Sequence, residues 1–135
     1  MILVVDANIV ISALLGSRRV ARVFARSDLT LLAPRILWEE VAKHRTLVCA
    51  RAQITMTEFD TALLKLTFLI TAVGVSSYSS LLTRARSALG RAMVDEHYLA
   101  CALAIKADAL WTHDSDFRSQ QLIKVISTQE LGDFQ

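Results

Sequence analysis

The chain has 135 residues, 53% of them hydrophobic and 21% charged, a balance that belongs to a core-rich globular protein and excludes disorder. Net charge is only +2, so the chain as a whole is no polycation, and its two cysteines, Cys49 and Cys101, have no CxxC or Cys/His ligand spacing. They read as buried thiols in a reducing compartment, which makes the cytoplasm the expected location.

Ile2 to Val5 is a short, β-branched apolar run, the signature of a strand buried on both faces. It ends in Asp6-Ala7-Asn8. The opening MILVVDANIV has no basic region and carries Asp6 within its apolar run, unlike a secretory leader. Arg18 to Arg26 has helical spacing, and Thr30 to Leu32 reads as a strand. Pro34 is expected to start a helix with Ile36, Leu37 and Val41 as its apolar stripe. Thr57 is expected to precede a helix reaching about Ile70, with a strand within 70–75. The longest apolar stretch, residues 62–75, contains Lys65 and is too short to span a membrane. Tyr78 to Leu89 reads helical, with Gly90 as its stop.

Asp95 is placed to cap a helix whose apolar positions include Tyr98, Leu99, Ala102 and Leu103. Ala109 to Trp111 reads as a strand ending in Thr112-His113-Asp114, and Lys124 to Ile126 as another. Ser127 and Glu130 form a capping box for a final helix. Short strands alternating with longer helices predict one α/β domain over residues 1–135 with parallel pairing.

Two carboxylates, Asp6 and Asp114, follow apolar strands. In open parallel sheets ligands gather outside the strands' carboxyl ends, so the two can converge although far apart in sequence. Glu40 lies on the helix after the second strand, and Asp95 opens a later one. Each acid alone has a plainer reading as turn, cap or surface residue. Together they would repel one another unless a cation sat among them. An all-oxygen set without His/Cys ligands suits Mg²⁺ or Mn²⁺ rather than zinc. Between Gly16 and Arg51 eight basic residues face three acidic ones, a local balance that suits an anionic partner or a solvated helix face. Arg18, Arg19 and Arg22, close after the first acid, are candidate contacts for the phosphates of such a partner.

The segments VVDANIVISALL, APRILWEEVAKH and VDEHYLACALAIKADALWTHDSDF, in this order, resemble a PIN domain over nearly the whole chain. The nearest likeness is to stand-alone prokaryotic PIN proteins related to VapC-type toxins. The resemblance implies a three-layer α/β/α sandwich with a central, mainly parallel sheet. It implies a catalytic set of Asp6, Glu40, Asp95 and Asp114, with metal held by Asp6, Asp95 and Asp114 and support from Asn8, Thr112 and Asp116. It also implies single-stranded RNA as substrate, a homodimer, and an antitoxin protein as partner for a toxin member. The adjacent Glu39 leaves the second position ambiguous, and His97 and His113 stand where variable residues are expected.

Two other readings stay open. Asp6 after an apolar strand also fits a haloacid-dehalogenase-type phosphatase, although Asn8 occupies the place of that class's second aspartate. A PIN-like domain can also be a non-catalytic RNA- or protein-binding module.

Overall fold

The computed structural model describes residues 1–90 and 95–132. Five strands form one all-parallel sheet in the order β3-β2-β1-β4-β5. They are β1 (Ile2–Val5), β2 (Thr30–Pro34), β3 (Ile70–Val73), β4 (Ala109–Trp111) and β5 (Val125–Ile126). Between β1 and β3 run α1 (Ala7–Leu14), α2 (Arg18–Phe24), α3 (Ile36–Lys43), α4 (Arg45–Ala52) and α5 (Met56–Leu69). Between β3 and β4 run two 3₁₀ turns, α6 (Leu82–Leu89) and α7 (Asp95–Ala104), and α8 (Thr128–Gly132) follows β5. The result is the expected three-layer α/β/α sandwich. α7 packs on β1, β2 and β4, while α1 packs on α2, α3, α4 and α5.

The sheet core follows from the apolar runs. Leu3, Val4, Val5, Leu110 and Trp111 are fully buried. Burying both faces of these strands is the main stabilising term, about 25 cal/mol per Å² of apolar surface removed from water. The strand order reverses direction between β1 and β4, the switch point at whose carboxyl ends open parallel sheets place their ligand crevice. Asp6 leaves β1 there, and Thr112 leaves β4 beside it.

Several local expectations are corrected. Pro34 ends β2 instead of starting α3. Pairing of β2 with β1 runs only to Val4↔Leu32, so the missing N–H at Pro34 costs no bond on that side, and Arg35 N–H then donates to the Val73 carbonyl. Thr55, not Thr57, caps α5, because Glu58 lies three residues beyond Thr55 and closes a reciprocal capping box. Tyr78 sits between the two 3₁₀ turns, and α6 begins only at Leu82. Gly90, with φ of 73°, closes α6 as expected. Asp95 lies within the first turn of α7 rather than before it. The Ser127–Glu130 capping box forms as read.

Candidate active site

Asp6 is the N-cap of α1 and is almost completely buried, at 6% exposure. Its backbone N–H continues the ladder to the Trp111 carbonyl, which fixes the carboxylate at the β1–β4 junction. One carboxylate oxygen accepts from the Ala7 N–H at 2.7 Å, and the other accepts from the Thr112 hydroxyl at 2.6 Å. These bonds favour the charged form. Burial acts more strongly in the other direction, joined by the negative charges of Asp95 and Glu40, and Asp6 is pushed up to about 6 from its ordinary 3.8.

Thr112 is the hub of the site. It is 2% exposed, and while its hydroxyl donates to Asp6 it also accepts from the Asp114 N–H at 2.9 Å and from Asn8 Nδ2 at 3.4 Å. Asn8 Oδ1 in turn accepts from the His113 N–H. Asp114 caps the following 3₁₀ turn by accepting from the Asp116 N–H, and Asp116 itself is exposed.

Glu40 is half-buried on α3, beside the stripe formed by Leu37 and Val41. The buried Tyr98 hydroxyl donates to its Oε1 at 2.6 Å. Burial pushes the Glu40 carboxyl up, the Tyr98 bond pulls it down, and the charge of Asp95 pushes it up again. Tyr98 is driven far above the usual phenol range, first by burial and then by Glu40, so its proton stays in place for that bond. Glu39 is exposed and lines a different cleft.

Asp6, Glu40 and Asp95 therefore share one electrostatic neighbourhood, and Asp114 is tied to it through Thr112. Among the described residues no three His, Cys, Asp or Glu side chains form a cation cage by themselves. The donor chemistry fits a hard divalent cation in the other common manner, one or two carboxylates with water and substrate phosphate completing the shell. The buried Asp6, in the field of two further acids, marks a position where added positive charge is favourable.

Arg19 lies on the rim, in a cleft of about 330 Å³ with Ser17, His113 and Thr128, while Arg18 and Arg22 are exposed on α2. His113 is held by a 2.7 Å hydrogen bond with Thr128 Oγ1, and partial burial lowers its pKa, which favours the neutral ring.

In sequence Tyr98 stands only as an apolar core position of its helix. A buried tyrosine needs a partner for its hydroxyl, and an acid near the same helix was the available signal. Tyr98→Phe should remove a hydrogen bond that favours ionised Glu40. Any activity that needs ionised Glu40 should then lose its acidic limb toward higher pH, with a severalfold drop below neutrality. A pH–rate profile unchanged from wild type would contradict this role for Tyr98.

A family model described as PIN domain matches residues 4–132. No curated protein matches the chain.

Proposed function

The chain belongs to the PIN-domain family, and from that premise we propose that it is a metal-dependent endoribonuclease hydrolysing phosphodiesters of single-stranded RNA. The family is nuclease-type, generally uses divalent metals and generally acts on RNA. The observation that carries the proposal is the buried Asp6 carboxylate at the β1–β4 crevice, bonded by Thr112 and in the field of Asp95 and Glu40.

In this reading Asp6, Asp95 and Asp114 would hold Mg²⁺ or Mn²⁺, with water bridging wherever a carboxylate does not reach the ion directly, and the ion would supply charge neutralisation at the phosphate and an acidified water. Ala7 N–H and the Thr112 hydroxyl hold the Asp6 carboxylate in a fixed orientation. Glu40, oriented by Tyr98, would take the proton from the attacking water as the water oxygen bonds to phosphorus; the P–O bond to the leaving oxygen breaks, and that oxygen takes up a proton from solvent. Asn8 and Thr112 are positioning residues, and Asp116 supports Asp114 through its N–H.

Calorimetric titration with Mn²⁺ separates this reading from a non-catalytic module. Saturable binding displaced by Mg²⁺ and weakened by Asp6→Asn is expected. No binding to wild type would return the module reading.

Arg18, Arg19 and Arg22 contact the RNA backbone in the same proposal. Arg18→Ala and Arg19→Ala should each reduce the slope of log affinity against log salt by about 0.7, the value for one lost single-strand phosphate contact. Mn²⁺ affinity should not change in either. An unchanged slope in both variants would remove these arginines from the RNA path.

A homodimer in the cytoplasm, with toxin activity checked by an antitoxin protein, completes the proposal. No described helix is long and apolar enough to cross a membrane. On α5, Leu64 is 59% and Phe68 83% exposed, an apolar surface that supports a protein partner. Sedimentation equilibrium giving twice the 15.0 kDa chain mass would establish the dimer.

A further inference from the structure

A separate cleft of about 340 Å³ opens at the carboxyl ends of β2 and β3, at the small end of the usual range for ligand pockets. Arg35, Glu39 and His97 line it, together with Gly74 and Tyr78. Arg35 and His97 are held in place by their surroundings. The Arg35 N–H is fixed to the Val73 carbonyl, and its guanidinium lies across Gly74. The guanidinium carbon and both terminal nitrogens are each 3.9 Å from where a Cβ would stand. His97 Nδ1 shares a 2.8 Å hydrogen bond with the Tyr78 hydroxyl, the two rings meeting at 85°, so the rotation of the half-buried imidazole is set. Arg35 and Glu39 stand four residues apart, a spacing that often gives an ion pair. Among the described residues neither is in one, and both are exposed to the cleft.

This cleft adjoins the acids through two helices. Glu39 precedes Glu40 on α3, and His97 lies between Asp95 and Tyr98 on α7. Building on the ribonuclease reading, we infer that the cleft binds the guanine of the nucleotide next to the cleaved phosphate. Guanine offers an acceptor pair, O6 and N7, which an arginine fork matches. Its neighbouring edge offers two donors, N1–H and the N2 amino group, which one carboxylate matches. Adenine reverses this pattern: its N6 amino group faces the cation and its bare N1 faces the carboxylate. Bases of single-stranded RNA are free to splay out and stack on a histidine ring or guanidinium plane.

The test uses five RNA oligonucleotides identical except at one position, which is guanine, hypoxanthine, adenine, cytosine or uracil. Binding to the full chain is measured in chelator, so that no cleavage intervenes. Guanine should bind about tenfold more tightly than adenine. Hypoxanthine, lacking only the N2 amino group, should fall between. Glu39→Gln should narrow the gap between guanine and hypoxanthine, and Arg35→Ala the gap between guanine and adenine. Both residues are exposed and outside ion pairs, so the fold tolerates these changes. Equal binding of all five, preference for another base, no binding at all, or a guanine preference intact in both variants overturns the inference. Mn²⁺-dependent cutting of all five without base preference would sink the guanine cleft and leave the nuclease reading standing. Guanine preference without any cutting would do the reverse.

Discussion

Asp6→Asn should lower RNA cleavage by at least about a hundredfold while leaving the fold intact. Loss of a group that merely supports a metal ligand costs about 10–100-fold, and loss of a charged ligand itself should cost no less. The fold should survive because asparagine is an N-cap as good as aspartate, and α1 keeps its cap. Stability should even rise in metal-free protein at neutral pH. The folded chain raises the Asp6 pKa from 3.8 to about 6. The fold therefore favours the protonated acid, and this contribution is fully present below pH 3.8 and lost as pH climbs through about 6. By pH 7 the ionised, buried carboxylate costs about 3 kcal/mol. Asp6→Asn removes that cost and flattens this part of the pH dependence, and Mn²⁺ should stabilise wild type far more than the variant. Thermal melts from pH 4 to 8, with and without Mn²⁺, read both effects. A variant that melts lower than metal-free wild type at pH 7.5 would contradict the burial argument.

Thr112→Val should be nearly as damaging, by a different route. Valine matches the shape but removes a 2%-exposed hydroxyl that serves Asp6, Asp114 and Asn8 at once. The Asp6 oxygen loses its donor, which raises its pKa further, and the Asp114 N–H loses its acceptor. Leaving such groups unsatisfied costs about 1–3 kcal/mol in stability. Activity and Mn²⁺ affinity should fall about 10–100-fold, the usual range for a group that orients a metal ligand. Thr112→Ser keeps the hydroxyl and should recover most of both. Serine and valine variants with equal Mn²⁺ affinity would show that the hydroxyl orients nothing.

The site was legible wherever a carboxylate followed an apolar strand. A continuous apolar run such as Ile2–Val5 reads as a strand buried on both faces, as the central strands of a parallel sheet are, and the residue after such a run emerges at the sheet's edge. That logic located Asp6 and Asp114, whereas Thr112 came only with the family resemblance. The choice between Glu39 and Glu40 was less plain in sequence, although helical spacing from buried Leu37 and Val41 favours Glu40 as the inward neighbour. Helices α1 and α4 were not foreseen. The α1 run ANIVISAL is rich in β-branched residues, only Asn8 and Ser12 mark its polar face, and the Asp6 cap reads equally well as a turn. In α4 only Val48 and Cys49 are buried, which is too little apolar signal for a stripe. The Tyr98–Glu40 bond and the Arg35–Glu39–His97 cleft join α3 to α7 and to the ends of β2 and β3. No local pattern carries such a meeting; only the strand order and the crossing of α7 over the sheet create it.

The central claim is tested most directly by single-turnover cleavage of a mixed single-stranded RNA pool, run with wild type and Asp6→Asn, in Mn²⁺ and in chelator. Cutting by wild type in Mn²⁺ alone, lost in chelator and reduced at least about a hundredfold in Asp6→Asn, is the predicted result. Undiminished cutting in chelator, or equal cutting by the two proteins, would contradict a metal-dependent ribonuclease centred on Asp6.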